Sequence, residues 1–218
     1  MKDVAAIVLA AGRAERMGHF KPLLPFGDST VIDHCIDNLR GGGVESIVVV
    51  AGHRATDLQD HLQAANITFA VNPEANSEMS DSLACGVTQI PANAKAILIT
   101  PADHPAVPTA VVRRIIDSWR KGAHIVIPTW AERGGHPVLV DSAFRDRLLN
   151  LDPDRGLRGF FESNPEQVVR LPVDSSYVAR DMDTWDDYIS LHKEVFGVPP
   201  EQPFDRREPQ HPLARESN

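Results

Sequence analysis

Small residues followed by cations open this chain: Ala10, Ala11 and Gly12 come first, then Arg13, Arg16 and Lys21. Small side chains let a backbone turn approach a ligand closely, its N–H groups point at oxygen atoms, and neighbouring cations complete a site for a polyphosphate. Much further on, Asp103 stands in Pro101-Ala102-Asp103-His104-Pro105, directly after an apolar run. Magnesium keeps phosphate oxygens and water among its ligands, so one or two well-placed carboxylates suffice to build its site. Asp103 is therefore the natural metal-ligand candidate, the alternative being a cap on the following turn. His104 has neither H-E-x-x-H nor C-x-x-C for company, so a place at the edge of a substrate, against the acceptor, or a structural place suits it better than zinc. No Ser-His-Asp or Cys-His arrangement accompanies these residues. The chemistry they suit is alignment and charge stabilisation rather than attack by a protein nucleophile.

The elements that must position these residues follow from the pattern. Ala5 to Leu9 is an unbroken apolar run with β-branched members, as in a strand buried on both faces. Ser46–Ala51, Ile67–Val71, Ala94–Thr100 and Ala123–Pro128 read the same way. Between them lie helical patterns: one capped by Asp28-Ser29-Thr30 with Val31, Ile32, Cys35, Ile36 and Leu39 on its apolar face, one over Thr56–Ala65, one entered near Ser80, and one begun by Pro108. Alternating strand and helix specify a doubly wound, mostly parallel sheet that binds ligands beyond the carboxyl ends of its strands. Gly134-Gly135 between two extended runs predicts a hairpin ending in His136-Pro137-Val138. Ser142–Leu149 and Gly156–Ser163 read as short helices, and Glu166–Val173, which contains Pro172, as a strand at the rim of the sheet. A last helix carries Tyr188, Leu191, Val195 and Phe196.

With 218 residues, 42% of them hydrophobic, the chain can fill one sizeable α/β core. We read residues 1–196 as that domain. Five of the last 22 residues are proline with few apolar anchors, so residues 197–218 are expected to be a mobile tail or one laid along a neighbour. A net charge of −8 argues against nucleic acid, because a binding surface would have to neutralise phosphates against a repulsive field. No apolar run approaches ~18 residues and the start lacks a signal-peptide pattern, so neither membrane association nor secretion is expected and the cytoplasm is the expected location. Cys35 and Cys85 fall within helical patterns without metal or redox spacing, which predicts buried, unpaired thiols.

Neither a P-loop nor G-x-G-x-x-G is present: Gly12 is followed by five residues before Gly18, and the lysine waits until position 21. What Leu9, Ala10, Ala11, Gly12, Arg16, Met17, Gly18 and Lys21 resemble is the L-A-A-G-x-x-x-R-M-G-x-x-K opening of the molybdenum cofactor nucleotidyltransferases. Several later segments are similar to that family as well: Met79-Ser80-x-Ser82-Leu83, Asp103-x-Pro105, Gly135-His136-Pro137-Val138 and Asp181-x-Asp183-Thr184-x-x-Asp187. Glu78 and Asp81 stand where the family commonly has small neutral residues, and Ala14 replaces a frequent hydroxyl.

The resemblance implies a Rossmann-like nucleotidyltransferase fold that moves a nucleotide to a phosphorylated acceptor with pyrophosphate release. Under it, Leu9–Gly12, Arg13, Arg16, Lys21, Asn72 and Ser82 bind the nucleotide, with Ser82 facing the base, the alternative for this segment being a simple helix cap by Ser80 or Asp81. Arg16, Lys21 and Asp103 are the catalytic candidates. Asp183 joins Asp103 as a magnesium ligand, helix capping being its alternative, while Asp186 and Asp187 suit capping. His104 and His136 face the acceptor, unless His136 only pins its turn. Ala11 resembles the form that uses CTP, with GTP the alternative; molybdopterin is the implied acceptor, with a sugar or polyol phosphate as runner-up. A catalytically silent nucleotide-binding regulator is the reading from another class. Monomer or weak dimer, and contact with a molybdoenzyme or chaperone, complete the expectation.

Overall fold

The computed structural model describes residues 3–12, 17, 19–52, 54–63, 65–72 and 78–201. Arg13, Arg16 and most of the proline-rich tail, residues 202–218, lie outside them.

In chain order, β1 (Val4–Ala10) leads to a turn of 3-10 helix at Lys21–Leu23 and a two-residue ladder, β2 (Pro25–Phe26) and β3 (Ser29–Thr30). Next come α1 (Val31–Gly41), β4 (Ser46–Ala51), α2 (Ala55–His61), β5 (Thr68–Val71), α3 (Met79–Gln89), β6 (Ala96–Pro101) and α4 (Thr109–Arg120). The second half holds β7 (Ile125–Trp130), β8 (Arg133–Gly134), β9 (Val138–Asp141), α5 (Arg145–Leu149), α6 (Gly156–Glu162), β10 (Val168–Pro172) and α7 (Trp185–Phe196). The central sheet runs β10-β7-β9-β6-β1-β4-β5, with β8 paired to β7. β1 pairs in parallel with β4 and β6, as do β4 with β5 and β7 with β10. β9 is antiparallel to both β6 and β7. The second arm of the expected hairpin, β9, is an interior strand, and Val138, Leu139 and Val140 are buried. β10 occupies the edge, where Pro172 costs the ladder least.

Alternation along β1 divides the core. Ala6 and Val8 face a layer with Ile32, Ile36, Val112 and Ile115 from α1 and α4, whereas Ala5 and Ile7 face Leu83, Val87, Leu148 and Phe160 from α3, α5 and α6. Gly86 lets α3 approach that second face, because a Cβ there would lie 2.8 Å from Ile7 and 2.9 Å from Val50.

A third, smaller core joins distant ends of the chain. Phe26 and Val31 pack with Met182, Tyr188 and Leu191, all nearly enclosed. The Tyr188 hydroxyl donates to Pro25 O at 2.6 Å, and Trp185 Nε1 donates to Met17 O at 3.1 Å. Thr184 and Asp187 form the capping box of α7, so the expected capping use of Asp187 is what the structure contains. Two details differ from expectation: α2 stops at His61 rather than Ala65, and Cys85 is only half-buried whereas Cys35 is buried; both thiols are free. Among the described residues no helix is long and apolar enough to cross a membrane.

Candidate active site

Three strand exits converge at one end of the sheet. β1 ends at Ala10, and the backbone of Ala11 passes so close to the exit of β4 that a Cβ on Gly52 would lie 2.9 Å from Ala11 O. β6 delivers Asp103, and its exit is fixed by Ala102 N donating to Leu9 O at 3.0 Å and Asn38 Nδ2 donating to Pro105 O at 2.8 Å. The small core under α7 brings Asp183 to the same place, although 162 residues separate it from Lys21.

Lys21 Nζ donates to Asp183 Oδ1 at 2.8 Å and stands 3.9 Å from Asp103 Oδ2. The lysine thus lies between the two carboxylates rather than across from them. Lys21 and Asp103 border a cavity of about 230 Å³ lined also by Leu9–Gly12, Glu78, Met79 and Ser82, whereas Asp183 reaches it only through Lys21 and is not part of the lining. Among the described residues, chain neighbours aside, no atom lies within 4 Å of where a Cβ on Gly12 would be. Asn72 does not line the cavity; its Nδ2 donates to Ser82 Oγ at 3.0 Å and so orients that hydroxyl. Asp81 accepts from Glu78 N at 3.0 Å, closing the start of α3, which accounts for one of the two unusual carboxylates.

Beside this cavity lies a charged cluster that runs from the interior to the surface at Asp181. Burial raises the Asp103 carboxyl above its usual range, against the opposing pull of His104 and Lys21, and its Oδ1 is buried without a hydrogen-bond partner. His104 Nε2 is 3.2 Å from Asp181 Oδ1 and 3.7 Å from Asp103 Oδ1, and its Nδ1 is 3.5 Å from Tyr177 O. Burial alone would lower the His104 value; the bond to Asp181 and the two carboxylate charges outweigh it and raise it. The Asp181 carboxyl is held below its usual range chiefly by His104. His136 stands edge-on to His104 with ring centroids 5.3 Å apart. Burial, then the His104 charge, pushes the His136 imidazole down to about 4, which keeps it neutral near pH 7.

The two histidines expected against the acceptor therefore part company. The His104 side chain is only 2% exposed and lines neither cavity, because it is enclosed between Asp181 and Asp103, so it acts through those carboxylates and not by direct contact. His136 lines a second, larger cavity of about 1100 Å³, separated from the first by Met79, which borders both. Asp181 was not among the expected site residues. Its signal was the two-residue spacing to Asp183 in an extended segment, which turns both carboxylates to one side.

A lysine between Asp103, at the exit of β6, and Asp183, before α7, beside a small-residue bend after β1, suits the binding of a nucleotide's phosphates on a Rossmann-like sheet. The chain belongs to the family of MobA-like NTP transferase domains, the match running over residues 6–168. It is 25% identical over 191 residues to the molybdenum cofactor cytidylyltransferase of Escherichia coli (strain K12), covering 87% of this chain and 96% of that one. It is also 27% identical over 191 residues to nicotine blue oxidoreductase of Paenarthrobacter nicotinovorans, covering 83% and 92%. Among solved structures, Rv0371c from Mycobacterium tuberculosis H37Rv superposes with a TM-score of 0.78 at 29% identity, over 88% of this chain and 98% of that one. The same mycobacterial protein in complex with manganese gives 0.75 at 28%.

Proposed function

We propose that this protein transfers CMP from CTP to the phosphate of a small acceptor, molybdopterin in the first instance, and releases pyrophosphate in the cytoplasm. The observation that carries the reading is Lys21 held at 2.8 Å from Asp183 and 3.9 Å from Asp103 at the mouth of the cavity below β1. A triphosphate entering there offers Lys21 a stronger set of acceptors than one carboxylate. The ammonium then moves onto phosphate oxygens, together with Arg13 and Arg16 by our sequence assignment. Ser82, its hydroxyl oriented by Asn72, faces the base, and Ala11 supports CTP over GTP.

The residues fit a divalent cation. Asp103 has a buried oxygen without a hydrogen bond and a carboxyl raised by burial, a state that a cation relieves, and Asp183 meets it through a shared partner. Magnesium held by Asp103 and Asp183 would supply neutralisation of the charge on the phosphate oxygens. The manganese complex of Rv0371c is in keeping with this.

An acceptor phosphate is already anionic near neutral pH and needs no general base. Its oxygen forms the new bond to the α-phosphorus as the bond to the β-phosphate oxygen breaks. Lys21 stabilises the departing pyrophosphate by charge.

Pyrophosphate release tests the proposal, measured with CTP, GTP, ATP and UTP against molybdopterin and against sugar and polyol phosphates. CTP with molybdopterin is expected to be the fastest pair. Lys21→Ala and Asp103→Ala should each lower turnover by about 10²–10³-fold or more while circular dichroism stays native. Normal turnover in either variant removes that residue from the mechanism. Stabilisation by nucleotide with no pyrophosphate from any acceptor would instead favour a silent binding protein.

A further inference from the structure

The segment that leads into α7 holds three consecutive side chains by three different means. Met182 is fully buried in the small core. Asp181 and Asp183, on either side of it, turn the other way, as alternation in extended backbone requires. Asp183 meets Lys21 at 2.8 Å. Asp181 meets His104: Nε2 of the ring stands 3.2 Å from Asp181 Oδ1 and 3.7 Å from Asp103 Oδ1, so it lies between a carboxylate carried by the segment before α7 and one carried by the exit of β6. The other ring nitrogen, Nδ1, is 3.5 Å from Tyr177 O, and His136 N donates to the next carbonyl, Val178 O, at 2.7 Å. Two histidines from different strand ends thus face consecutive carbonyls of the chain that leads to Asp181 and Asp183.

We infer that His104 and Asp181 are a positioning pair: through them the segment before α7 is fixed to the exit of β6, so that Asp103 and Asp183 keep the separation that a divalent cation needs. The inference rests on the nucleotidyl transfer proposed above. Exchange of partners is the reason. In the free protein the Lys21 ammonium stands between the two carboxylates, 2.8 Å from one and 3.9 Å from the other. Once a triphosphate draws that ammonium onto its own oxygens, two like charges face each other without it and repel. Among the described residues, the polar contacts that then still tie the two segments together are those of His104 with Asp181 and with Tyr177 O. His104 is enclosed and lines neither cavity, so a ligand in either one does not compete for its ring. Neither member of the pair touches a reacting atom; both act through Asp103 and Asp183, which is why the segment carries two carboxylates where one serves the cation.

The test separates the cation from the nucleotide. CTP is titrated into the full chain by calorimetry, once with Mn2+ and once with EDTA, and the ratio of the two affinities gives the tightening that the cation supplies. The Asp181 side chain is 64% exposed, so Asp181→Ala leaves the core in place, which thermal melting checks. Asp181→Ala is expected to cut the tightening about tenfold or more and to leave the affinity in EDTA unchanged. A residue of merely structural importance would move both. Asp181→Asn, which can still accept from Nε2, should recover part of the loss. His104→Leu should give a loss like that of Asp181→Ala, and the double variant no further loss, because each change breaks the same link. If His104→Leu does not fold, the two Asp181 variants decide. Full tightening in Asp181→Ala overturns the inference. So does an Asp181→Ala loss of undiminished size in the His104→Leu background, since Asp181 would then be a ligand in its own right; either result leaves the nucleotidyl transfer standing. No tightening by Mn2+ in the native chain would instead remove the cation from Asp103 and Asp183, and this inference with it.

Discussion

At the residue scale, the site is a problem of placing charge where water is scarce. Asp103, His104 and Asp181 form an alternation of signs running from the interior to the surface, and His136 stays neutral because burial, and then the charge on His104, disfavours its cation. His136 has its folded value lowered from 6.5 to about 4, so its contribution to stability is intact above 6.5 and is lost as pH falls toward 4. The loss amounts to at most about 3 kcal/mol. His104, whose value is raised, works in the opposite window: its contribution is full below 6.5 and fades as pH rises through the folded value. Asp103, also raised, gains stability as pH falls and partly offsets His136. Urea midpoints between pH 7 and pH 4.5 are therefore expected to fall more steeply for the native chain than for His136→Gln. Parallel curves would remove His136 as the source of the slope.

At the element scale, two glycines show how backbone geometry divides between folding and binding. A Cβ on Gly135 would lie 2.0 Å from Val178 O, so β8 and the segment before α7 touch backbone to backbone there. Gly135→Ala must push these segments apart and loosen the bond from His136 N to Val178 O. The expected cost is about 3 kcal/mol, seen as a melting point lower by roughly 5–10 °C. A Cβ on Gly12 meets nothing among the described residues beyond its chain neighbours, so Gly12→Ala is expected to keep stability within about 0.5 kcal/mol while weakening nucleotide binding. Calorimetry on both variants, with and without CTP, checks the contrast. Equal destabilisation would mean that the bend after β1 is a packing feature and not a ligand contact.

At the scale of the whole molecule, one sheet with helices on both faces leaves its ligand sites on the edge where strand exits meet. Asp183, near the end of the chain, meets Lys21 at the rim of the cavity because α7 is tied back onto β2 through Tyr188 and onto Met17 through Trp185. Saturating the chain with CTP and magnesium at about 100 times Kd should add about 2.7 kcal/mol, or roughly 5–10 °C in Tm. GTP is expected to give less, and Asp103→Asn should abolish the part that depends on magnesium. A larger shift with GTP would reverse the nucleotide preference proposed from Ala11.

The apolar runs and their turn residues determined by themselves the order of strands and helices, the bend after β1 and the acidic residues at later strand ends, because these depend on local periodicity and side-chain size. They also carried the family, through motifs whose spacing is fixed along the chain. Pairing partners were a different matter. That β9 lies inside the sheet, that Lys21 stands between Asp103 and Asp183, that Asp181 holds His104, and that Arg170 reaches the cavity beside His136 all depend on contacts between segments far apart in sequence. Such contacts are chosen by which faces bury the most apolar surface together, a property of the assembled core that no single stretch of sequence contains.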